Sequence, residues 1–336
     1  MSEQKLPSLN IIGCGGCGCN IVRKLKKALS TPKVKAPKID YTVIDTSKSN
    51  FYDLDGVEII SVDELGAGKD RSKCIPVIQH YFDTHPQLSR DANDISIIIS
   101  SFSGGSGNVI AALLTQRIMR HTDSKAVIVV GVTDTSSERD TINSINSIKT
   151  FNAIAKDLGI SIPMLMFSNT LKLGENPKPG RIGVDKSAVA RLSQLIQLLT
   201  SDTVVELDFN DKLTFLRPQD SGAESGLYAI SISETDLEHT AYLTGEMDIL
   251  LQMNNIVHSV LVVNKDGAMP DIMSEVSYVG VDAVNYISII SHSLPSMLTQ
   301  DLVDAADRYQ HSVKVKSTME SDLDKFGQED KTGLVL

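Results

Sequence analysis

The runs ISIIIS (95–100) and KAVIVVGVT (125–133) place Ile and Val in succession instead of alternating them with polar residues. A strand of that kind has both faces in apolar surroundings, as in a parallel sheet covered by helices on each side. SLNIIG (8–13), YTVIDT (41–46), a short VEIISV (57–62) and IPMLMFSN (162–169) extend the set. Between them lie segments with apolar residues at helical spacing: NIVRKLKKAL, a stretch after GAGKDRSKCI, NVIAALLTQRIMR, and one near 138–158. Strands and helices in alternation make βαβ units, so the first half is expected to be α/β with a doubly wound parallel sheet.

After a Pro- and Gly-containing loop, GENPKPGRIG, the pattern predicts a helix over 185–200. Beyond it GLYAISIS, HSVLVVNK, SEVSYVGV and NYISIISHS read as strands with fewer helices between them, which predicts a second, smaller α+β domain with a mixed sheet. SMLTQDLVDAADRYQHSV reads as a final helix, followed by a polar, acidic, mobile tail.

At 336 residues the chain exceeds what one core serves well, and two packed domains are expected. No run of about 18 apolar residues offers a membrane span, and MSEQKLPSLN lacks the pattern of a secretory signal. A net charge of −10 argues against broad nucleic-acid binding, and 5% aromatic residues without Trp leave little for base stacking. Cys14, Cys17 and Cys19 are too local to staple distant segments, which suits a reducing cytoplasm.

Those three thiols sit in LNIIGCGGCGCNIVRKL (9–25), where Gly13, Gly15 and Gly18 satisfy G-x-G-x-x-G between a strand and a helix. Glycines let backbone N–H groups approach a phosphate, and the following helix N-terminus adds unpaired donors and partial positive charge. With Asp45 ending the second strand, where a Rossmann protein keeps its ribose acid, the loop alone permits an NAD-dependent oxidoreductase. A tight turn without ligand is the plain alternative. No metal site is expected, because Cys-x-x-Cys-x-Cys falls short of zinc's four ligands and Cys74 is remote. A second glycine loop, Ser103-Gly104-Gly105-Ser106-Gly107-Asn108, again joins a buried strand to a helix, and LGAGKDRS (65–72) adds a third. Several such loops on one parallel sheet suit a nucleotide di- or triphosphate gripped from two sides better than a dinucleotide.

In this order the motifs resemble the tubulin/FtsZ superfamily. GCGGCGCNIV is similar to its first loop, with Gly13, Gly15, Gly16, Gly18 and Asn20 kept and cysteines, Cys17 among them, where glycines are usual. VIDTSKSN resembles the ribose-side loop at Asp45 and Thr46, and GAGKDRS the loop near the terminal phosphate at Gly68 and Lys69. SGGSGN is similar to the family's G-G-G-T-G-[ST]-G, with Ser103 in place of a Gly, Ser106 of the Thr and Val109 of the last Gly. GVTDTSSE, with Thr133, Asp134 and Glu138, matches the loop beside the sugar, and Asn169 the guanine-reading Asn. VVELDFNDKLTFL resembles the segment after the central helix, with Asp208 and Asp211 on the family's two acids and Glu206 replacing an Asn.

The resemblance implies a GTP-binding domain over 1–183, a central helix over 184–202, an α+β activation domain over 203–312 and an acidic tail over 313–336. It implies a GTPase in which Asp208 and Asp211 polarise the water attacking the neighbouring subunit's GTP, so that subunits join head to tail into filaments. On local sequence alone, DFND equally reads as a helix cap. Counting back from that segment leads to Asp185 or Lys186 as the second guanine reader. Asp185, which can accept from guanine N1–H and N2–H2, is the expected one, and a helix N-terminal acid favoured by the dipole is the alternative. Mg²⁺ would bridge the phosphates while keeping mostly water ligands. The compact length is most like the bacteriophage and plasmid tubulins of PhuZ and TubZ type, which implies phage particles or DNA as cargo in a bacterial host's cytoplasm. A nucleotide-binding regulator that no longer hydrolyses GTP is the remaining alternative, raised by the altered second loop and by Glu206.

Overall fold

A computed structural model describes residues 7–29, 38–62, 68, 70–86, 93–121, 126–171, 180–200, 213, 216–233, 241–242, 245–246, 256–263, 276–280, 286–291 and 294–329. The Ile/Val runs form strands β1 (Leu9–Cys14), β2 (Ile39–Asp45), β3 (Glu58–Ser61), β4 (Ile95–Ser101), β5 (Ala126–Thr133) and β6 (Ser161–Ser168), and GLYAISIS forms β7 (Gly226–Ser233). All seven pair in parallel in the order β3-β2-β1-β4-β5-β6-β7. Every residue of β5 and β6 is buried, as continuous apolar strands require. Helices α1 (Gly15–Leu29) and α5 (Gly180–Thr200) cover one face, packing Ile21, Val22 and Leu25 together with Leu192, Leu195 and Leu199 against Ile97, Ile99 and Val130. The other face carries α2 (Arg71–Thr84), α3 (Ser106–His121), α4 (Glu138–Leu158) and the start of α6 (Ser296–Glu329), with Phe82, Ile118, Phe151 and Leu298 in its core. Burying each such side chain contributes about 1.5–3 kcal/mol, so truncating Leu195 to Ala removes part of the cement between α5 and the sheet.

The later strands are β8 (Ala241–Tyr242), β9 (Gly245–Glu246), β10 (Ile256–Val263), β11 (Val276–Gly280) and β12 (Tyr286–Ser291). β8 and β9 form a separate antiparallel pair. The others extend the large sheet as β7-β12-β10-β11, antiparallel across β7–β12 and β12–β10 and parallel across β10–β11. The second half thus holds the expected mixed sheet, but it adjoins the first half through β6–β7, in register from Ser161↔Gly226 to Met164↔Ala229. Three helix ends differ from expectation. α1 starts at Gly15, inside the glycine loop, and α5 at Gly180. α6 runs to Glu329, beyond the expected end near 313. Polarity predicts a tail there, but Lys, Met and Glu are good helix formers wherever they lie.

Candidate nucleotide site

A cavity of about 530 Å³ opens at the carboxyl ends of the parallel strands, where ligands of such sheets bind. Its floor is made by two helix starts that touch. Gly15 (φ +70) stands so close to Gly107 that a Cβ on Gly15 would lie 2.7 Å from the Gly107 Cα, and a Cβ on Gly107 would lie 2.6 Å from the Cys14 carbonyl oxygen. The N-termini of α1 and α3 therefore converge on one space, bringing two sets of unpaired N–H groups and two partial positive charges to it. An anion such as a phosphate is what this arrangement attracts.

Most of the residues expected from sequence line this cavity: Gly15, Gly16, Cys17 and Asn20 from α1, Asp45 and Thr46 after β2, Gly68, Ser103 to Gly107 before and in α3, Asp134, Asn169 and Asp185. Four do not. Gly13 lies behind the loop against Gly18, where a Cβ would be 2.6 Å from the Gly18 carbonyl. Asn108 is buried and donates to the Phe102 and Gly104 carbonyls at 2.9 and 2.8 Å. Thr133 is buried and donates to the Phe167 carbonyl, and Glu138 opens α4 on the surface. Lys69, Asp208 and Asp211 lie outside the described residues. Sequence reasoning missed Asn50, Tyr52 and Arg181, which also line the cavity. Arg181 stands one helical turn before Asp185 and would have been found had the helix been started at Gly180.

The three acids of the wall are each held by named donors. Asp45 accepts from the Thr46 N–H at 2.7 Å, from Ser106 Oγ at 3.2 Å and from Asn50 Nδ2, which ties the end of β2 to the second glycine loop. Asp185 Oδ2 accepts from Lys24 Nζ at 2.6 Å and from Asn20 Nδ2. Asp134 accepts from Ser136 N–H and Oγ at 2.8 and 2.5 Å and from Asn169 Nδ2 at 3.0 Å. Since a carboxylate only accepts, Asp134 fixes the Asn169 amide with its nitrogen toward Asp134. Asn169 Oδ1 is left buried without a hydrogen-bond partner, and such an acceptor is costly until an N–H reaches it.

Burial pushes the Cys17 and Cys19 thiols up to about 12 and raises Cys14 well above its ordinary value, with neighbouring Asp185 and Asp45 adding to the effect. At neutral pH these are thiols, whereas a metal ligand or nucleophile must be a thiolate. Among the described residues no group of three or more His, Cys, Asp or Glu is placed to hold a metal ion, and no helix is long and apolar enough to cross a membrane.

No protein-family model matches the sequence, and no curated protein matches it either. Solved structures do resemble the fold. The phage tubulin PhuZ with GDP superposes with a TM-score of 0.71 at 16% identity, over 93% of this chain and 93% of that one. CetZ2 of Haloferax volcanii, a GTPγS-bound protofilament, gives 0.64 at 15% identity over 91% and 99%. A point mutant of FtsZ from M. jannaschii gives 0.63 at 15% over 86% and 92%. The chain has the tubulin/FtsZ fold.

Proposed function

We propose that the chain binds a guanine nucleotide in this cavity, hydrolyses GTP and assembles head to tail into filaments. The observation that carries the reading is a pair of converging helix N-termini facing a wall that holds one buried, unpartnered acceptor, Asn169 Oδ1. The first suits phosphates. The second suits a base edge rich in N–H donors, and Asp185, held by Lys24 Nζ at 2.6 Å, offers another acceptor to N1–H and N2–H2 of guanine. Structures of this fold include one with GDP and a protofilament with GTPγS, which supports both nucleotide and assembly.

In this reading the loops Gly15–Cys17 and Ser103–Gly107 hold the phosphates, with Gly68 and Lys69 at the terminal one. Mg²⁺, when bound with the nucleotide, neutralises phosphate charge. It fits a site whose acids are already engaged, since it keeps mostly water ligands. Asp208 and Asp211, i and i+3 in the segment after α5, orient the attacking water in the next subunit, and positioning of that kind dominates phosphoryl transfer. Residues 203–312 then act as the activating half and 1–183 as the binding half. Because each site is completed by a neighbour, contacts are heterologous and do not close, so filaments follow. The cargo would be phage particles or DNA inside a bacterial cytoplasm, with the acidic C-terminal segment contributing to filament contacts.

Light scattering and phosphate release with GTP, GTPγS, GDP and NAD test the reading together. Polymer is expected with GTP and GTPγS, and phosphate release with GTP. Absence of polymer with both would overturn assembly, and polymer without phosphate release would favour the non-hydrolysing regulator. Asp208→Ala and Asp211→Ala should assemble yet hydrolyse about 100-fold more slowly. Normal turnover in both would remove the in-trans role.

A further inference from the structure

The second glycine loop is held from behind by a helix that does not line the cavity. Asn143, buried on α4, donates from Nδ2 to the Ser103 carbonyl at 3.1 Å and to the Gly104 carbonyl at 3.2 Å. Ser147, one turn on and also buried, has its Oγ 2.9 Å from the Phe102 carbonyl. In a trans peptide the carbonyl of one residue and the N–H of the next point in opposite directions. Drawing the Ser103 and Gly104 carbonyls toward α4 therefore turns the N–H groups of Gly104 and Gly105 away from it, toward the cavity these glycines line.

The same helix also reaches Gly68 and the start of α2. Arg71, the first residue of α2 and three residues past Gly68, donates from Nη1 to the Asn143 carbonyl at 3.3 Å and to Ser147 Oγ at 3.1 Å, and from Nη2 to Thr150 Oγ1 at 3.3 Å. Among the described residues no carboxylate pairs with this half-buried guanidinium, and the oxygens it reaches there are those of α4. Arg139, also on α4, donates to the Gly68 carbonyl at 3.4 Å.

We infer that Asn143 and Arg71 are positioning residues for phosphate recognition: Asn143 aims the Gly104 and Gly105 N–H groups, and Arg71 locks the Gly68 loop to the same turn of α4, so that the two loops are set together. This rests on the nucleotide reading above. Neither residue touches the nucleotide in that reading. Each acts through a loop.

The test has one arm that needs no nucleotide. Hydrogen–deuterium exchange on the ligand-free protein should show peptides spanning 101–108 exchanging about 10-fold faster in Asn143→Ala, the scale of one or two lost hydrogen bonds. A smaller increase in the same peptides is expected in Arg71→Gln, although Arg71 does not bond to that loop. Unchanged exchange at 101–108 in both variants overturns the proposal, whatever the protein binds. Should Asn143→Ala not fold, Arg71→Gln and the near-isosteric Asn143→Asp, whose carboxylate would repel both carbonyls, carry the same measurement. In the second arm, affinity for GTPγS should fall about 10-fold in Asn143→Ala while affinity for guanosine, which lacks phosphate, is unchanged. An equal loss for both ligands would mark a merely structural role and overturn the proposal. Failure of the unmutated protein to bind GTPγS would instead refute the nucleotide reading, and the exchange arm would still decide the positioning.

Discussion

The two glycine loops that meet at Gly15 and Gly107 reach one geometry by different means. In the first, backbone lies against backbone. A Cβ on Gly18 would stand 2.4 Å from the Ile99 carbonyl oxygen, and a Cβ on Gly13 would stand 2.8 Å from Val22 Cγ2, so α1 sits on β1 and β4 with no room for a side chain. In the second, side chains do the holding. Asn108, Asn143 and Ser147 take up the carbonyls of Phe102, Ser103 and Gly104, and a Cβ on Gly104 would meet its nearest neighbour, the Ser101 carbonyl, only at 3.6 Å. The first loop is fixed by sterics and the second, apart from Gly107 where the two meet, by hydrogen bonds. Sterically fixed glycines should therefore fail through stability, and tethered ones through ligand affinity.

Gly18→Ala should give the largest effect. Overpacking against Ile99 and Gly13 costs about 3 kcal/mol, the upper end for added methyl groups, read as a fall in the urea midpoint. Asn108→Ala comes next. It removes two donors from buried carbonyls and should cost about 2 kcal/mol by the same measurement. Gly104→Ala should be the mildest for stability, within about 0.5 kcal/mol. Its methyl would nonetheless enter the cavity wall and lower GTPγS affinity about 10-fold by calorimetry. If Gly104→Ala unfolded as readily as Gly18→Ala, the distinction between the two loops would not hold.

That distinction also marks what the sequence could reveal. The strands were legible because Ile and Val in unbroken runs have one comfortable environment, and β7, GLYAISIS, fell where the run fell. The cavity residues were legible because glycines, Asp45, Asp134 and Asn169 follow those strands at their carboxyl ends. Gly13 was read as a phosphate contact, yet it packs against Gly18: G-x-G-x-x-G does not say which glycine faces the ligand and which faces the sheet. The start of α1 was hidden because glycine is a poor helix former, and here tertiary packing outweighs that preference. Asn143 carried no local signal, and Arg71 was legible only as part of LGAGKDRS, since their partners lie about 40 and 70 residues away and only the packing of α4 brings them together.

The smallest perturbation is chemical, and it tests the first loop without changing its fold. Cys17 stands where the resembling family has glycine, half-buried on the cavity wall, while Cys14 and Cys19 are fully covered. With its pKa pushed up to about 12, chiefly by burial, the thiolate is scarce at pH 7, and each unit of rising pH multiplies it about tenfold until that pKa is approached. Maleimide labelling of Cys17 should therefore be slow at pH 7 and keep rising about tenfold per unit through about pH 9.5, where an ordinary thiol would already have levelled off. Bound GTPγS should suppress it at every pH, because the same wall then faces phosphate. A zinc chelator should leave the rate unchanged, since Cys14, Cys17 and Cys19 fall short of zinc's four ligands. A plateau near about pH 9, or equal labelling of Cys14, would mean that the loop opens enough to solvate its thiols. The close backbone packing assigned to it would then be the wrong account of how it is held.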